Sequence, residues 1–417
     1  MSKVCMSSFG GSGENGRNCH CITVDDQIIL LDCGVKREII DGTVGFYPNL
    51  NEEVVKKISC VFLSHCHEDH VASLPLVYHY GYTGKVYATK ETIAETVGFI
   101  KKWMTFVEKK NGVLPYTQED VDKIQFEEIS LGHQVVEGYD VTLGRTGHVL
   151  GASWYVFNFD GKKVLYTGDM VLQSASLQTD IPEHVDGAIL NGAYAGQSLN
   201  QQEQYNRLLQ NVKDTWSNGG SVLLPIPPKG RGIDITVFLD EHLEEGTIYV
   251  EEAVITSMNA LVKQTAWVKE GLSNQLSDKV VVVKNAEDRK EALQHQGIFI
   301  TGDGMITTDV SAEYYEAVKG SSKNMILITG HAATGTIAAG VLNDTFRAEN
   351  GVEAKADKII FKVHLDDEDI EYMAEVTGAK TLVLFHANPE HNVRITERLE
   401  KKNIVVTTLQ YPNTIAI

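Results

Sequence analysis

The sequence predicts an α/β fold with a largely parallel sheet. Three observations lead there. From about residue 200 onward, short apolar runs alternate with amphipathic helical segments. Several of the short runs end directly in an acid or a histidine. The chain has 417 residues, 43% of them hydrophobic, enough for a sizeable buried core. At roughly 100 to 200 residues per domain, that length suggests two or three domains, or one large domain carrying an insertion.

Taken in order, residues 19–24 and 27–31 are apolar runs between Gly-rich turns, the second ending in Asp32-Cys33-Gly34, and both read as strands. Residues 60–64 form a short β-rich run that leads into His65-Cys-His67-Glu-Asp69-His70. The spacing predicts helices over 74–80, 92–107 and 118–124, then a return to strand alternation over 135–144 and 154–159. Residues 164–169 are a strand ending in an acid, and 188–190 repeat that plan with Asn191 at the end. A polar amphipathic helix follows over 201–218, a buried strand over 221–225 and a helix over 233–244. The alternation continues with strands at 298–301 and 325–329, a helix at 336–342, and strands at 358–363, 381–385 and 404–408. No internal repeat or low-complexity tract interrupts it.

Lys and Arg number 37 against 56 Asp and Glu, a net charge of −19. This argues against a surface that grips nucleic acid everywhere, but not against a local groove. No window approaches the roughly 20 apolar residues of a membrane helix, and the first residues lack an apolar signal core. All six cysteines lie within the first 66 residues, which is a poor basis for a disulfide framework. A cytoplasmic protein with reduced thiols is expected.

His65, His67, Asp69 and His70 occupy six residues where a strand must turn. Alternate residues of an extended segment share a face, so His65 and His67 can point at one ion, while Asp69 and His70 suit a second. Imidazole with carboxylate is a zinc-type donor set; magnesium or calcium cages use oxygen. Two further strand ends supply His148, in Gly147-His-Val-Leu-Gly-Ala152, and Asp169, in Tyr166-Thr-Gly-Asp-Met170. A carboxylate can bridge two cations. His364 and His386 each follow an apolar run, in Phe361-Lys-Val-His364-Leu-Asp and Leu384-Phe-His386-Ala-Asn. Singly, each would read as a loop or core residue. Together they look like the closing ligand and an acid–base residue.

This pattern resembles the metallo-β-lactamase superfamily, and within it the β-CASP nucleases, such as RNase J and the nuclease subunit of the cleavage and polyadenylation specificity factor. Gly10-Gly-Ser-Gly-Glu-Asn-Gly-Arg-Asn18 looks like the RNase J start. Asp32 matches the first family motif, His65 to His70 the H-x-H-x-D-H motif, His148 the third and Asp169 the fourth. Of the β-CASP motifs, His364 fits the second and His386 the third. The first normally ends a strand in an acid, and this chain has Asn191 there. Asn cannot supply the anion that would favour an imidazolium at His364.

The resemblance implies a metallo-β-lactamase four-layer αβ/βα sandwich with an inserted β-CASP α/β cap: residues 1–200 the first part of the metallo-β-lactamase domain, 201–345 the cap, and 346–417 the return. It implies two zinc ions, one on His65, His67 and His148, the other on Asp69, His70 and His386, with Asp169 bridging. Asp69, Asp169 and His364 would be the catalytic groups, His364 protonating the leaving ribose oxygen if it starts protonated. Asp32 and Asn191 would stand behind the ligands. In the cap, Ser221-Val-Leu-Leu-Pro-Ile-Pro-Pro-Lys-Gly-Arg231, Thr301-Gly-Asp-Gly-Met305 and Ile328-Thr-Gly-His-Ala-Ala-Thr-Gly-Thr-Ile337 look like family turns, with Lys229, Arg231, Gly335 and Thr336 as substrate contacts. Glycine lets a backbone approach a phosphate closely.

The implied function is a zinc-dependent ribonuclease. It would hydrolyse single-stranded RNA, or single-stranded DNA, by a two-metal-activated hydroxide in RNA processing or decay. The expected partners are that single strand and, as an oligomer, a second copy in a homodimer; no membrane partner is expected. Two other classes remain open on the sequence: a β-CASP pseudo-enzyme that binds RNA or protein, and a metallo-hydrolase of a small substrate.

Overall fold

The computed structural model describes residues 3–330 and 332–417. His331, in the cap turn, lies outside the described residues. The chain divides into two compact units, Met1–Ser198 with Val363–Ile417, and Leu199–Lys362.

The first unit holds two seven-stranded sheets. One runs in the order Ile415–Ala416, Val4–Gly10, Cys19–Val24, Gln27–Leu31, Ile58–Phe62, Lys85–Ala88, Gln125–Glu128. The other runs Val405–Thr407, Thr381–Phe385, Gly187–Asn191, Lys162–Tyr166, Ser153–Phe159, Tyr139–Arg145, Gly132–Val136. Both are mixed: strands adjacent in the chain at a hairpin, and the Ile415–Ala416 edge against Val4–Gly10, pair antiparallel, and the other pairs are parallel. The expectation of a largely parallel sheet therefore holds for only part of this unit.

Strand sequences explain the layering. In Gln27–Leu31, Ile29 and Leu31 enter a core shared with Tyr155, Phe157, Tyr166 and Phe385 of the other sheet. Ile28 and Leu30 face the opposite way, onto Leu74, Ile100 and Trp103 of helices. A strand covered on both faces must be apolar at every position, hence the continuous runs in the sequence. The second sheet's outer face, with Leu165, Ala188, Leu382 and Leu384, is covered by Ile370, Met373, Ile395 and Leu399. The result is four layers, helix–sheet–sheet–helix.

The helices follow their local signals. Thr89 caps Lys90–Lys109 by accepting from Thr92 N, and Thr92, Thr96, Ile100, Trp103 and Val107 form its buried stripe. Asp366 caps Asp367–Thr377, which stops at Gly378 in the left-handed conformation.

The second unit is a six-stranded parallel sheet in the order Val280–Val283, Ile248–Glu251, Ile298–Thr301, Val222–Pro225, Met325–Ile328, Lys355–Lys358. Val222, Leu224, Ile298 and Ile300 pack one face, and Leu223, Phe299 and Ile326 the other.

Several elements differ from the sequence reading. Residues 135–144 are not one strand but a hairpin, Gly132–Val136 against Tyr139–Arg145, turning at Glu137 (φ 49°) and Gly138 (φ 83°). Two positive φ values are what a tight hairpin turn demands. The strand expected at 358–363 lies earlier, at Lys355–Lys358, where it pairs with Met325–Ile328. That pairing keeps residues 346–362 with the second unit rather than with the return. The helix at 336–342 is one turn, Ile337–Gly340. Strand Val4–Gly10 was not foreseen, because Ser7 and Ser8 interrupt its apolar pattern although all of it is buried.

Candidate metal centre

The site is built at strand ends. Parallel pairing aligns the carboxyl ends of Gln27–Leu31 and Ile58–Phe62 in one sheet. It does the same for Lys162–Tyr166, Gly187–Asn191 and Thr381–Phe385 in the other. Just beyond these ends come Asp32, His65 to His70, Asp169 and His386, with Asn191 as a strand's last residue. His148 lies in the turn between Tyr139–Arg145 and Ser153–Phe159, and His364 just before helix Asp367–Thr377. Asp32 (φ 60°) and His386 (φ 67°) hold the left-handed backbone region, at about 1–3 kcal/mol each for a non-glycine residue. His386 is held there by its N–H donating to Gly11 O at 2.8 Å.

Two donor sets form. His65, His67, His148 and Asp169 make one, and Asp69, His70, Asp169 and His386 the other; within each, the donor atoms lie within 4.8 Å of one another. Asp169 belongs to both. A further grouping of Asp32, His65 and His70 is a hydrogen-bond network instead. Asp32 Oδ1 accepts from Ser64 N at 2.6 Å, and Oδ2 accepts from Ser64 Oγ at 2.5 Å, from His70 Nδ1 at 2.7 Å and from the Tyr166 hydroxyl. That leaves His70 Nε2 facing Asp169 Oδ1 at 3.3 Å and Asp69 Oδ2 at 3.6 Å, the carboxylate–imidazole arrangement typical behind a metal. His148 Nδ1 lies 2.8 Å from Val363 O. With the proton on Nδ1 for that bond, the lone pair of Nε2 is left for the site, 3.2 Å from His67 Nδ1.

The residues fit a divalent cation on physical grounds. His65 Nε2 and His364 Nδ1 are buried with no hydrogen-bond partner among the described residues, and lie 3.7 and 3.6 Å from Asp169 Oδ2. Orphaned buried nitrogens are costly, and two of them facing one shared carboxylate are explained by an ion. Electrostatics agree. Burial pushes the pKa values of His65 and His148 down, His67's to about 4, so all three rest as neutral donors. Burial also opposes charge on His70, His386, Asp69 and Asp169. The attraction between these imidazoles and carboxylates outweighs it, raising the pKa values of both histidines and lowering those of both acids. In the metal-free site the carboxylates thus favour charge on His70 and His386, and a bound cation would compete with that charge.

His364 Nδ1 is 3.6 Å from Asp169 Oδ2, and its ring lies beside those of His148, His386 and Tyr194. Burial pushes its pKa well below the ordinary value, only partly offset by Asp169. The imidazolium considered from the sequence is thus not its resting state. Asn191 does not turn to His364: its Nδ2 donates to Asp169 Oδ1 at 2.8 Å.

Lys229, Arg231, Gly335 and Thr336 belong to the second unit. Arg231 Nη1 donates to Thr329 O at 2.5 Å, and the guanidinium lies where a Cβ on Gly330 would be. Thr336 caps Ile337–Gly340. Lys229 lies in the turn after Val222–Pro225, and Gly335 has a positive φ of 84°.

Sequence reasoning missed four residues at the site. Asn18 Nδ2 lies 3.1 Å from Asp69 Oδ2 and 2.9 Å from His70 Nε2. Ser64 and Tyr166 complete the Asp32 network, and Phe99 lies edge-on to His67. Asn18 closes the Gly-rich opening motif, the one signal that points to it. Gly34 matters through space: a Cβ there would stand 1.7 Å from Asp69 O and 2.4 Å from His70 N. Gly34→Ala is expected to displace the ligand loop, lowering metal affinity by more than about tenfold, measurable by dye competition.

Strand-end donor sets in a sandwich of this layering define the class, and the comparisons place the chain in it. Residues 12–215 match the metallo-beta-lactamase superfamily and residues 231–341 the Beta-Casp domain. The chain belongs to the metallo-β-lactamase superfamily, in its β-CASP branch. Its particular likenesses are to transcription termination factor FttA of Methanococcus maripaludis, 25% identical over 394 residues, 87% of this chain and 62% of that protein, and to endoribonuclease YSH1 of Yarrowia lipolytica, 26% identical over 434 residues, 95% and 51%. The chain thus spans less than two thirds of the length of these relatives. A protein of unknown function from Enterococcus faecalis V583 shares the fold, with a TM-score of 0.59 at 14% identity and 100% of both chains covered.

Proposed function

We propose that the chain is a metal-dependent ribonuclease that hydrolyses phosphodiester bonds of single-stranded RNA, with zinc in both donor sets. The observation that carries this reading is the pair of donor sets sharing Asp169. RNA as substrate is supported by likeness to an endoribonuclease and a transcription termination factor. A cytoplasmic setting belongs to the same reading, supported by six buried cysteines that are all free thiols. Among the described residues, no helix is long and apolar enough to cross a membrane.

When bound, the ions supply Lewis acidity to water and to phosphoryl oxygens. The chain's own groups prepare the site. Asp32 fixes the His70 ring, Val363 O fixes His148, and Asp169 presents one carboxylate to both sets. His364 waits as a neutral imidazole; an arriving phosphodiester anion would favour its protonated form and supply a proton for the leaving oxygen. On the second unit, Lys229, Arg231, Gly335 and Thr336 are the proposed phosphate contacts.

On the first unit, half-buried Phe99 lies beside His67 with the Lys102 ammonium 4.6 Å from its ring centre, an aromatic and a cation on which a base can stack. Phe99→Ala is expected to raise KM for RNA about tenfold or more and to leave hydrolysis of bis(4-nitrophenyl) phosphate unchanged. An equal loss on both substrates would remove Phe99 from the RNA path.

The deciding experiment is metal content by elemental analysis, with cleavage of labelled single-stranded RNA with and without chelator. Two zinc per chain and chelator-sensitive cleavage, restored by zinc, is the expected result. Metal without cleavage of RNA would move the reading to a small phosphodiester or to a partner-activated enzyme, and a metal-free protein would overturn it.

A further inference from the structure

Asn191 ends strand Gly187–Asn191 and is fully buried. Its backbone N–H donates to Thr167 Oγ1 at 3.0 Å, tying it to the loop that carries Asp169. Its side-chain Nδ2 donates to Asp169 Oδ1 at 2.8 Å. The other carboxylate oxygen, Oδ2, is the one the cluster surrounds: His148 Nε2 and His364 Nδ1 lie 3.6 Å from it, and His65 Nε2 and His386 Nε2 3.7 Å.

A carboxylate shared by two donor sets works only if its rotation is fixed, and a hydrogen bond to one oxygen fixes it by leaving the other in the middle. We propose that Asn191 is a positioning residue that holds Asp169, and through it both donor sets, rather than a worn-down acid partner for His364. The amide is the working form. An acid at 191 would set a second carboxylate against Asp169 at the same short separation, replacing a donor by a like charge and leaving Asp169 Oδ1 with His70 Nε2, 3.3 Å away, in place of the amide. Restoring the family's acid is therefore expected to damage the centre, the opposite of what the motif alone suggests. The inference rests on the metal-centre reading and not on RNA as substrate.

The test compares metal-free wild type, Asn191→Asp and Asn191→Ala by cobalt(II) titration. The visible d–d spectrum reports ligand geometry, and competition with a chelating dye reports affinity. Because Asn191 precedes Gly192, a peptide mass first verifies that residue 191 is still an amide in the wild type. The expected order of affinity is wild type, then Ala, then Asp, with Asp at least about tenfold below wild type and its spectrum altered. Should the Ala protein not fold, Asn191→Ser, which keeps a hydroxyl donor, takes its place in the order. An Asp variant that binds cobalt as tightly as wild type overturns the inference. So does an Ala variant weaker than Asp, since a space-filling role gives that order. Wild type that binds no cobalt overturns the inference together with the metal centre; bound cobalt without RNA cleavage leaves the inference standing and sinks only the nuclease reading.

Discussion

Asp169→Ala is expected to eliminate metal-dependent hydrolysis, with a fall of at least about a thousandfold, or roughly 4 kcal/mol of transition-state stabilisation, and to lower metal occupancy at both sets at once. The reason is geometric. Asp169 is the one residue common to the two donor sets, and its Oδ2 is ringed by four imidazole nitrogens at 3.6–3.7 Å. Removing it leaves the first set without a carboxylate and the second with Asp69 alone, so both sites are weakened by one substitution. His67→Ala makes the control, since His67 belongs to one set alone: it is expected to abolish activity while the chain stays folded and retains about one metal per chain. Elemental analysis of both variants beside a phosphodiesterase assay separates these outcomes. Full turnover in either variant would sink the two-set mechanism.

Asp32→Ala is expected to cost stability as well as activity, about 3–5 kcal/mol, the usual loss when one partner of a buried charged pair is removed. Asp32 is fully buried, and its two oxygens serve Ser64 N, Ser64 Oγ, His70 and Tyr166. Alanine strands all of these donors. It also places an ordinary residue at a φ of 60°, where Asp and Asn are tolerated and Ala is not. Asp32→Asn keeps the backbone preference and one acceptor, so a smaller loss is expected there. Urea unfolding of the metal-free proteins measures this without interference from bound ions. Equal stability of wild type and Asp32→Ala would mean the network contributes nothing to the fold.

His65, His67, Asp69 and His70 were legible in the sequence because their chemistry is local: six residues at one strand end, with alternation placing the histidines. His148, Asp169 and His386 were legible through strand ends and family motifs. The four layers were implied by resemblance, and the continuous apolar strands bear them out, since burial on both faces leaves no polar alternation to read. The hairpin over Gly132–Arg145 escaped because Glu137-Gly138 is a weaker turn signal than Asn-Gly. Strand Val4–Gly10 escaped because its serines find partners outside the strand, Ser7 Oγ donating to Asn413 O near the far end of the chain and Ser8 Oγ meeting His20 on the neighbouring strand.

By itself, then, the sequence determined which residues can bind a cation, because donor type and strand-end position are properties of short segments. Only the tertiary structure decided which groups hold those donors in place. Asn191 turns to Asp169 and not to His364, Asp32 serves His70 across 38 residues of chain, and Asn18 reaches Asp69 across 51. Such pairings depend on side-chain direction across neighbouring strands, and a hydrogen bond is sensitive to angle and distance on a scale that motif spacing does not encode.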